Sequence, residues 1–420
     1  MNNRVCILGS GSSGQAAARL LASVGRSGWV CAERDPTPEM QRAFENCGFS
    51  YTARIPEDGL DFAVISPGFA MEHPWLQVLR ARGISLVPEF ELGAGYLQGK
   101  TVAVTGSLGK TTMVLFAMHL LRQQGLRVTC SGNIGTPTCE VALKSPVADV
   151  HVLELSSFQT EAATGFRPDV GVWLNLFPNH LDRHGSMDAY AGAKARMFAF
   201  QTPADFAVLP EGVPVAVPGR GRRRVPEPAR VPETRGTGFD HPALRENLAA
   251  LLTGLGDWDF APEQIRAAME TFAFPPFRMQ EIGTPKLGRV INDSKSTCLS
   301  ATRAALRGVD GPVHLIMGGV PKGDDPGMLK QEFREKTVYV YLYGECAAAY
   351  ASAWRAEAAQ CEVHEGLRAC LDSVFRQRNR TESLLFSPGC ASFDQYMSYE
   401  ARGRHFQKLV HARDQEFFLK

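Results

Sequence analysis

No Cys-x-x-Cys pair occurs among the ten cysteines of this 420-residue chain, and no Cys/His spacing suits a metal site. The cysteines are scattered, and a reduced cytosolic pool fits that better than a disulfide framework. No stretch supplies the ~20 continuous apolar residues that a membrane span requires. The opening "MNNRVCILGSGSSG" enters a strand at once, so neither a membrane nor a secretory leader is expected. Net charge is almost missing as well. A formal +1 leaves no whole-chain footprint for nucleic acid or a membrane surface. What remains is an ordinary globular composition, 44% hydrophobic and 21% charged. The chain is too long for one core, so two or three domains are expected.

Short apolar runs alternate with helical periodicity along the chain. "VCILGS", "WVCAE" and "DFAVISPG" read as strands before residue 94, with a helix over Gln15–Val24. A second series holds "TVAVTG", a helix from Thr111 to about Gln124, "ADVHVLELSS" and "DVGVWLNL". A third follows Pro275–Pro276, with "VHLIMGG", "VYVYLYG" and "SLLFSPG". Strands alternating with helices predict parallel sheets covered on both faces, so three α/β units are expected in a row. Between residues 210 and 240 the Pro-, Gly- and Arg-rich "PGRGRRRVPEPARVPETRGTG" reads as a solvated loop, with an anion-binding patch as the sharper alternative.

Two glycine clusters carry chemistry. Gly9, Gly11 and Gly14 spell G-x-G-x-x-G between strand and helix, with Glu33 at the end of the next strand. Such glycines let a backbone approach a pyrophosphate at a helix N-terminus. They equally suit a dinucleotide, a substrate-borne nucleotide diphosphate, or tight packing without ligand. The second cluster, "VAVTGSLGKTT" at 102–112, is more specific. Gly106 and Gly109 can leave amides facing an anion, Lys110 can reach β- and γ-phosphates, and the Thr111 hydroxyl can ligate magnesium. ATP or GTP is expected there, although the loop is shorter than G-x-x-x-x-G-K-[ST]. Elsewhere, Asn133 stands in "CSGNIGTP" and Glu154 ends an apolar strand. His180 and Lys194 lie in "NLFPNHLDRHGSMDAYAGAKARMF", and Asp293, Lys295 and Thr297 precede a helix. Taken singly these have bland readings: an edge carboxylate, a structural histidine, a helix cap at Ser296 or Thr297.

Together these motifs resemble the Mur ligase family of ATP-dependent amide-bond-forming enzymes, which uses a short T-G-[ST]-x-G-K-[ST]-[ST] loop matched by Thr105–Thr112. Within it, "ILGSGSSG", "SPGFAMEHP", "SGNIGTP", "LELSSFQ", "INDSKST" and "LLFSPGCASFDQYMSYEARG" resemble the branch that adds D-glutamate to UDP-N-acetylmuramoyl-L-alanine. They run from residue 7 to 403, nearly the whole chain. The resemblance implies a Rossmann-like UDP-substrate domain over 1–94, a P-loop ATPase-like central domain with a parallel sheet over 95–274, and a Rossmann-like amino-acid domain over 275–420. It also implies an acyl-phosphate intermediate, ATP and Mg2+ as cofactors, a monomer, and no nucleic-acid or membrane partner.

Residue by residue, the resemblance implies substrate contacts at Gly9, Gly11, Ser12, Ser13, Gly14, Ser66, Gly68, Asn133 and Gln159. ATP contacts are implied at Gly106, Ser107, Leu108, Gly109, Lys110, Thr111, Thr112, Asn247, Arg278, Asp293 and Lys295. Thr111 and Glu154 match ligands of one Mg2+; His180 and a carbamylated Lys194 match those of a second. Lys110, His180 and Lys194 are the implied catalytic set. Thr297, Lys322, Ser392 and Tyr399 match positions around the incoming D-glutamate, the last usually phenylalanine. One departure concerns adenine: where the family has G-x-H-N-x-x-N, this chain reads "GFDHPALRENLAALL" and keeps only Asn247. Rival readings are a sister ligase for another amino acid, a folate-type glutamate ligase, a non-catalytic nucleotide switch and a dinucleotide oxidoreductase.

Overall fold

Runs of small and branched apolar residues, most of them fully buried, form the strands of three sheets in a computed structural model that describes residues 4–33, 35–284 and 286–416. The first sheet contains β1 (Arg4–Leu8), β2 (Ser27–Cys31), β3 (Phe49–Thr52), β4 (Phe62–Ile65) and β5 (Ser85–Pro88). All its pairings are parallel, in the order β3-β2-β1-β4-β5. Strand order reverses at the β1–β4 pair, and such switch points open a crevice at the strands' carboxyl ends. The Gly9–Gly14 loop leaves β1 there, and the Ser66 loop leaves β4.

The second sheet contains β6 (Gln98–Thr105), β7 (Val128–Gly132), β8 (Val147–Glu154), β9 (Val170–Trp173), β10 (Phe206–Val208) and β11 (Arg222–Arg224). It is also parallel, in the order β11-β10-β9-β6-β8-β7. β6 is therefore central and runs into the 106–109 turn. Helix Lys110–Gln123 follows, burying Met113, Val114, Phe116, Ala117, Leu120 and Leu121.

The third sheet contains β12 (Gln280–Glu281), β13 (Val290–Asn292), β14 (Val313–Gly318), β15 (Val338–Tyr343), β16 (Gln360–Val363) and β17 (Ser383–Phe386). Its order is β12-β13-β17-β14-β15-β16, with only β12 antiparallel. The chain forms two compact units: one carries the first two sheets, and the other carries the third together with the short segments 177–185 and 241–243. Among the described residues, no helix is long and apolar enough to cross a membrane.

The arginine run is not the loop expected from its composition. Arg222–Arg224 is β11, an edge strand whose Arg222 and Arg224 guanidinium carbons sit 3.9 and 3.7 Å from the centroid of the Phe206 ring. Arg224 also lies 3.6 Å from Asp257. Edge strands are commonly guarded by charge against pairing with another chain. Cation–ring stacking and backbone pairing take the place of apolar alternation here.

Candidate active site

The phosphate loop is held by residues far from it in sequence. Asn175, just beyond β9, accepts hydrogen bonds at Oδ1 from Ser107 N (3.1 Å) and Leu108 N (2.9 Å). Its Nδ2 donates to Leu108 O (2.9 Å) and to Asn247 Oδ1 (2.7 Å). Gly109 is left-handed at φ 81, and a Cβ there would stand 2.3 Å from Asn247 Nδ2. Both conformation and space therefore demand glycine. Thr111 and Thr112 open the helix, with Thr112 buried beneath the loop.

Two amines converge on one carbonyl. Gly106 O accepts from Lys110 Nζ (2.7 Å) and from Lys194 Nζ (2.9 Å), and Lys110 Nζ also reaches Ser107 O (3.2 Å). Lys194 lies 1% exposed over the Tyr190 ring, whose hydroxyl donates to Ser107 Oγ (3.1 Å). Burial, then repulsion from Lys110, holds the Lys194 amine well below the ordinary lysine range. A neutral amine is the form that can take up CO2, whereas an ammonium would repel a cation.

Glu154 ends β8, in register with Val104 of the strand that enters the loop. Its Oε1 accepts from Asn133 Nδ2 (3.0 Å), and Asn133 N donates to Glu154 O (2.8 Å). The other oxygen, Oε2, is buried without a hydrogen-bond partner among the described residues. An orphaned carboxylate oxygen beside a phosphate loop suits a hard, oxygen-seeking cation, so these residues fit the expected magnesium. His180 stands in segment 177–185, left-handed at φ 56, at the head of the short helix Leu181–His184. That conformation is uncommon for a residue other than glycine. Beside it, the Asn179 Oδ1 acceptor is buried without a partner among the described residues.

At the first sheet, a Cβ on Gly14 would meet Gly9 O at 1.9 Å and one on Gly9 would meet Ser66 Oγ at 2.8 Å, whereas Gly11 and Gly68 face open space. Gly9 and Gly14 thus serve close packing, and Gly11 and Gly68 leave room for a ligand. Ser12 and Ser13 begin helix Ser12–Ser23 at its amide-rich end. Glu33 is engaged by His73 Nε2 (2.9 Å). A shallow cleft is lined by Ser66, Phe69, Met71, Glu89, Phe158 and Gln159, among others. Gln159 is also committed locally: with Ser156 it closes a capping box on helix Ser157–Thr160.

In the second unit, Lys322 Nζ donates to Thr297 Oγ1 (3.1 Å), and Lys295 Nζ sits 3.8 Å from the Tyr399 ring centroid. Ser392 is buried at the foot of the segment after β17. Burial pushes the Asp293 carboxyl up to about 7, opposed by hydrogen bonds from Ser387 Oγ (2.8 Å) and Met279 N (3.2 Å) and by the Arg278 charge. Arg278 lies between two left-handed residues, Phe277 (φ 63) and Met279 (φ 44). Gln280 Oε1 accepts from Phe277 N (3.0 Å), and Phe277 O accepts from Lys295 N (3.1 Å), fixing that strained turn.

Sequence reasoning missed Asn175 and Tyr190. Asn175 had a usable signal, a polar amide directly after the apolar strand that flanks β6. Tyr190 had none beyond lying inside a recognised motif.

A model of the Mur ligase middle domain matches residues 104–220. The chain is 34% identical to a UDP-N-acetylmuramoylalanine–D-glutamate ligase of Koribacter versatilis, over 97% of each chain. It is 36% identical to the enzyme of that name from Nitratidesulfovibrio vulgaris, over 96% of this chain and 95% of the relative. Among solved structures, a MurF ligase from Thermotoga maritima in complex with ADP superposes with a TM-score of 0.61 at 15% identity, over 92% of this chain and 96% of that one. That likeness speaks to fold alone.

Proposed function

The chain belongs to the UDP-N-acetylmuramoylalanine–D-glutamate ligases of the Mur ligase family, and on that premise we propose that it joins D-glutamate to UDP-N-acetylmuramoyl-L-alanine at the expense of ATP, supplying peptidoglycan precursors. The observation that carries the reading is the convergence of Lys110 and Lys194 on Gly106 O in the strand–loop–helix that begins with β6, whose Val104 pairs with Glu154. We assign the UDP substrate to residues 1–94, ATP to 95–274 and the amino acid to 275–420. The chain acts as a monomer in the cytoplasm, where its nucleotide substrates are found.

The terminal carboxylate of the UDP substrate attacks the γ-phosphate of ATP, giving an acyl phosphate and ADP. The amine of D-glutamate then attacks the acyl carbon, and phosphate leaves from a tetrahedral intermediate. The first step brings anions together: at ~4 Å and an effective dielectric near 20, each like-charge pair costs roughly 4 kcal/mol. Lys110 turns from the loop carbonyls to the β- and γ-phosphates and offsets part of that repulsion. The Ser107, Leu108 and Gly109 backbone cradles the phosphates in the shape that Asn175 sets. Thr111 and Glu154 would hold one magnesium, and His180 with a carbamate on Lys194 a second; when bound, these ions add positive charge at the transferring phosphoryl group. Asn133 and His180 orient the acyl carboxylate. Arg278, Asp293 and Lys295 serve ATP from the C-terminal domain, and Thr297, Lys322, Ser392 and the Tyr399 backbone receive D-glutamate.

Phosphate release with UDP-N-acetylmuramoyl-L-alanine, ATP and each amino acid in turn tests the reading. Release that depends on D-glutamate is expected. Release with a different amino acid, or ATP binding without amino-acid-dependent turnover, would overturn it.

A further inference from the structure

Helix Tyr399–Glu416 begins against the carboxyl ends of β13, β14 and β17, and Arg402 in its first turn carries a guanidinium into that junction. The residue is fully buried, 0% exposed. Its Nε donates to Ser294 Oγ (3.1 Å) and its Nη2 to Ser294 O (2.9 Å). Its Nη1 donates to Gly318 O (3.1 Å) and to Cys390 O (3.0 Å). One rigid fork thus ties the segment after β13 to the end of β14 and the segment after β17.

Each tied segment carries groups assigned above to the amino-acid half of the reaction. Ser294 lies between Asp293 and Lys295 and shortly before Thr297; Gly318 precedes Lys322; Cys390 precedes Ser392. Neighbouring contacts tighten the same knot. Ser294 Oγ donates onward to Tyr399 O (2.9 Å), and Val320 and Ala391 exchange backbone hydrogen bonds of 2.8 Å. Gly319 stands at φ 127, where a Cβ would lie 2.0 Å from Ala391 O and 3.1 Å from Arg402 Nη1. Among the described residues, no carboxylate hydrogen-bonds the guanidinium; its acceptors are three main-chain carbonyls and one hydroxyl. The fork is thus spent on main-chain and hydroxyl acceptors, while the Asp394 and Asp293 carboxylates act on it through space. Lysine cannot replace the planar fork, because its three donors radiate from a single point.

We infer that Arg402 is a positioning residue for the acidic amino-acid substrate: its fork sets the spacing of the Thr297, Lys322 and Ser392 segments. The inference rests on the D-glutamate reading above. It is tested by measuring KM for D-glutamate and for UDP-N-acetylmuramoyl-L-alanine in the wild type, Arg402→Lys and Ser294→Ala, well below each protein's unfolding midpoint. Arg402→Lys should raise KM for D-glutamate about tenfold or more and Ser294→Ala about threefold, with KM for the UDP substrate within about twofold of wild type. A role confined to stability would not produce that split. The inference is overturned if both variants keep KM for D-glutamate within about twofold of wild type, or if both KM values rise together. Should Arg402→Lys fail to fold, Ser294→Ala decides alone. A wild type that does not turn over D-glutamate at all refutes the functional reading itself, a result distinct from any change between variants.

Discussion

Replacing Asn175 by alanine removes the side chain that shapes the phosphate loop while leaving every residue assigned to ATP in the chain. Four hydrogen bonds disappear: two accepted from Ser107 N and Leu108 N, and two donated to Leu108 O and Asn247 Oδ1. Ser107 N keeps a backbone acceptor, Asn175 O at 3.2 Å, so the loop is loosened rather than released. At about 1 kcal/mol net per bond, the loss is roughly 2–4 kcal/mol, shared between stability and loop order. If about 2 kcal/mol of it falls on ordering the loop for ATP, the dissociation constant rises roughly thirtyfold. Calorimetric titration with a non-hydrolysable ATP analogue, alongside urea unfolding, measures both parts. A double-mutant cycle with Asn247→Ala should show coupling of about 1 kcal/mol, since the two amides share one of the four bonds. An Asn175→Ala protein with unchanged unfolding and a dissociation constant within about threefold of wild type would refute the reasoning.

Lys110→Ala should lower turnover by several orders of magnitude with little change in fold; turnover within about tenfold of wild type would remove Lys110 from the phosphoryl-transfer step. Lys194→Ala should be inactive and partly restored by short-chain carboxylic acids, which replace the oxygen ligand of the proposed carbamate. If neither that substitution nor CO2 depletion alters activity, the carbamate is wrong. Asp293→Asn should change how stability varies with pH. Burial lifts Asp293 to about 7 from an ordinary value near 4, so between those values the folded chain keeps a proton that the unfolded chain has released. The stability linked to this carboxyl is therefore present below about pH 4 and lost as pH rises towards 7. The variant should gain unfolding temperature over wild type at pH 8 but not at pH 4, and a difference that is flat in pH would contradict the assignment.

The phosphate loop was legible because its chemistry is local. Glycines, lysine and threonines stand within one turn, and the apolar run before them can only be a buried strand. The three-sheet α/β architecture was legible for the same reason: runs such as "VAVTG" and "VHLIMGG" form central strands. Short peripheral strands were less so. β3 (FSYT) and β5 (SLVP) have too few residues to establish a period, and β11 is made of arginines. Asn175 reaches Leu108 across 67 residues of chain, Tyr190 reaches Ser107 across 83, and Arg402 reaches Gly318 and Ser294 across 84 and 108, through contacts that exist only once the sheets have formed. The left-handed backbone at Phe277 and Met279 was equally hidden, since nothing in those side chains favours it.

Misfits in the central sheet's site have opposite signs, and that pattern narrows the ligand further than any one motif. At the loop there is a surplus of donors: two lysine amines share Gly106 O, and repulsion between them helps drive Lys194 towards neutrality. At the end of β8 there is a surplus of acceptors, because Glu154 Oε2 is buried and unanswered among the described residues. An orphaned buried group of that kind costs about 1–3 kcal/mol, a large share of a typical net stability of about 5–15 kcal/mol. An anion relieves the first misfit and aggravates the second, while a bare cation does the reverse. The metal-bound ATP proposed above would relieve both, with phosphate oxygens for the lysines and metal charge for the carboxylate. A nicotinamide dinucleotide offers phosphates but brings no metal to Glu154, so these two misfits agree with the proposed metal-bound ATP better than with the redox alternative.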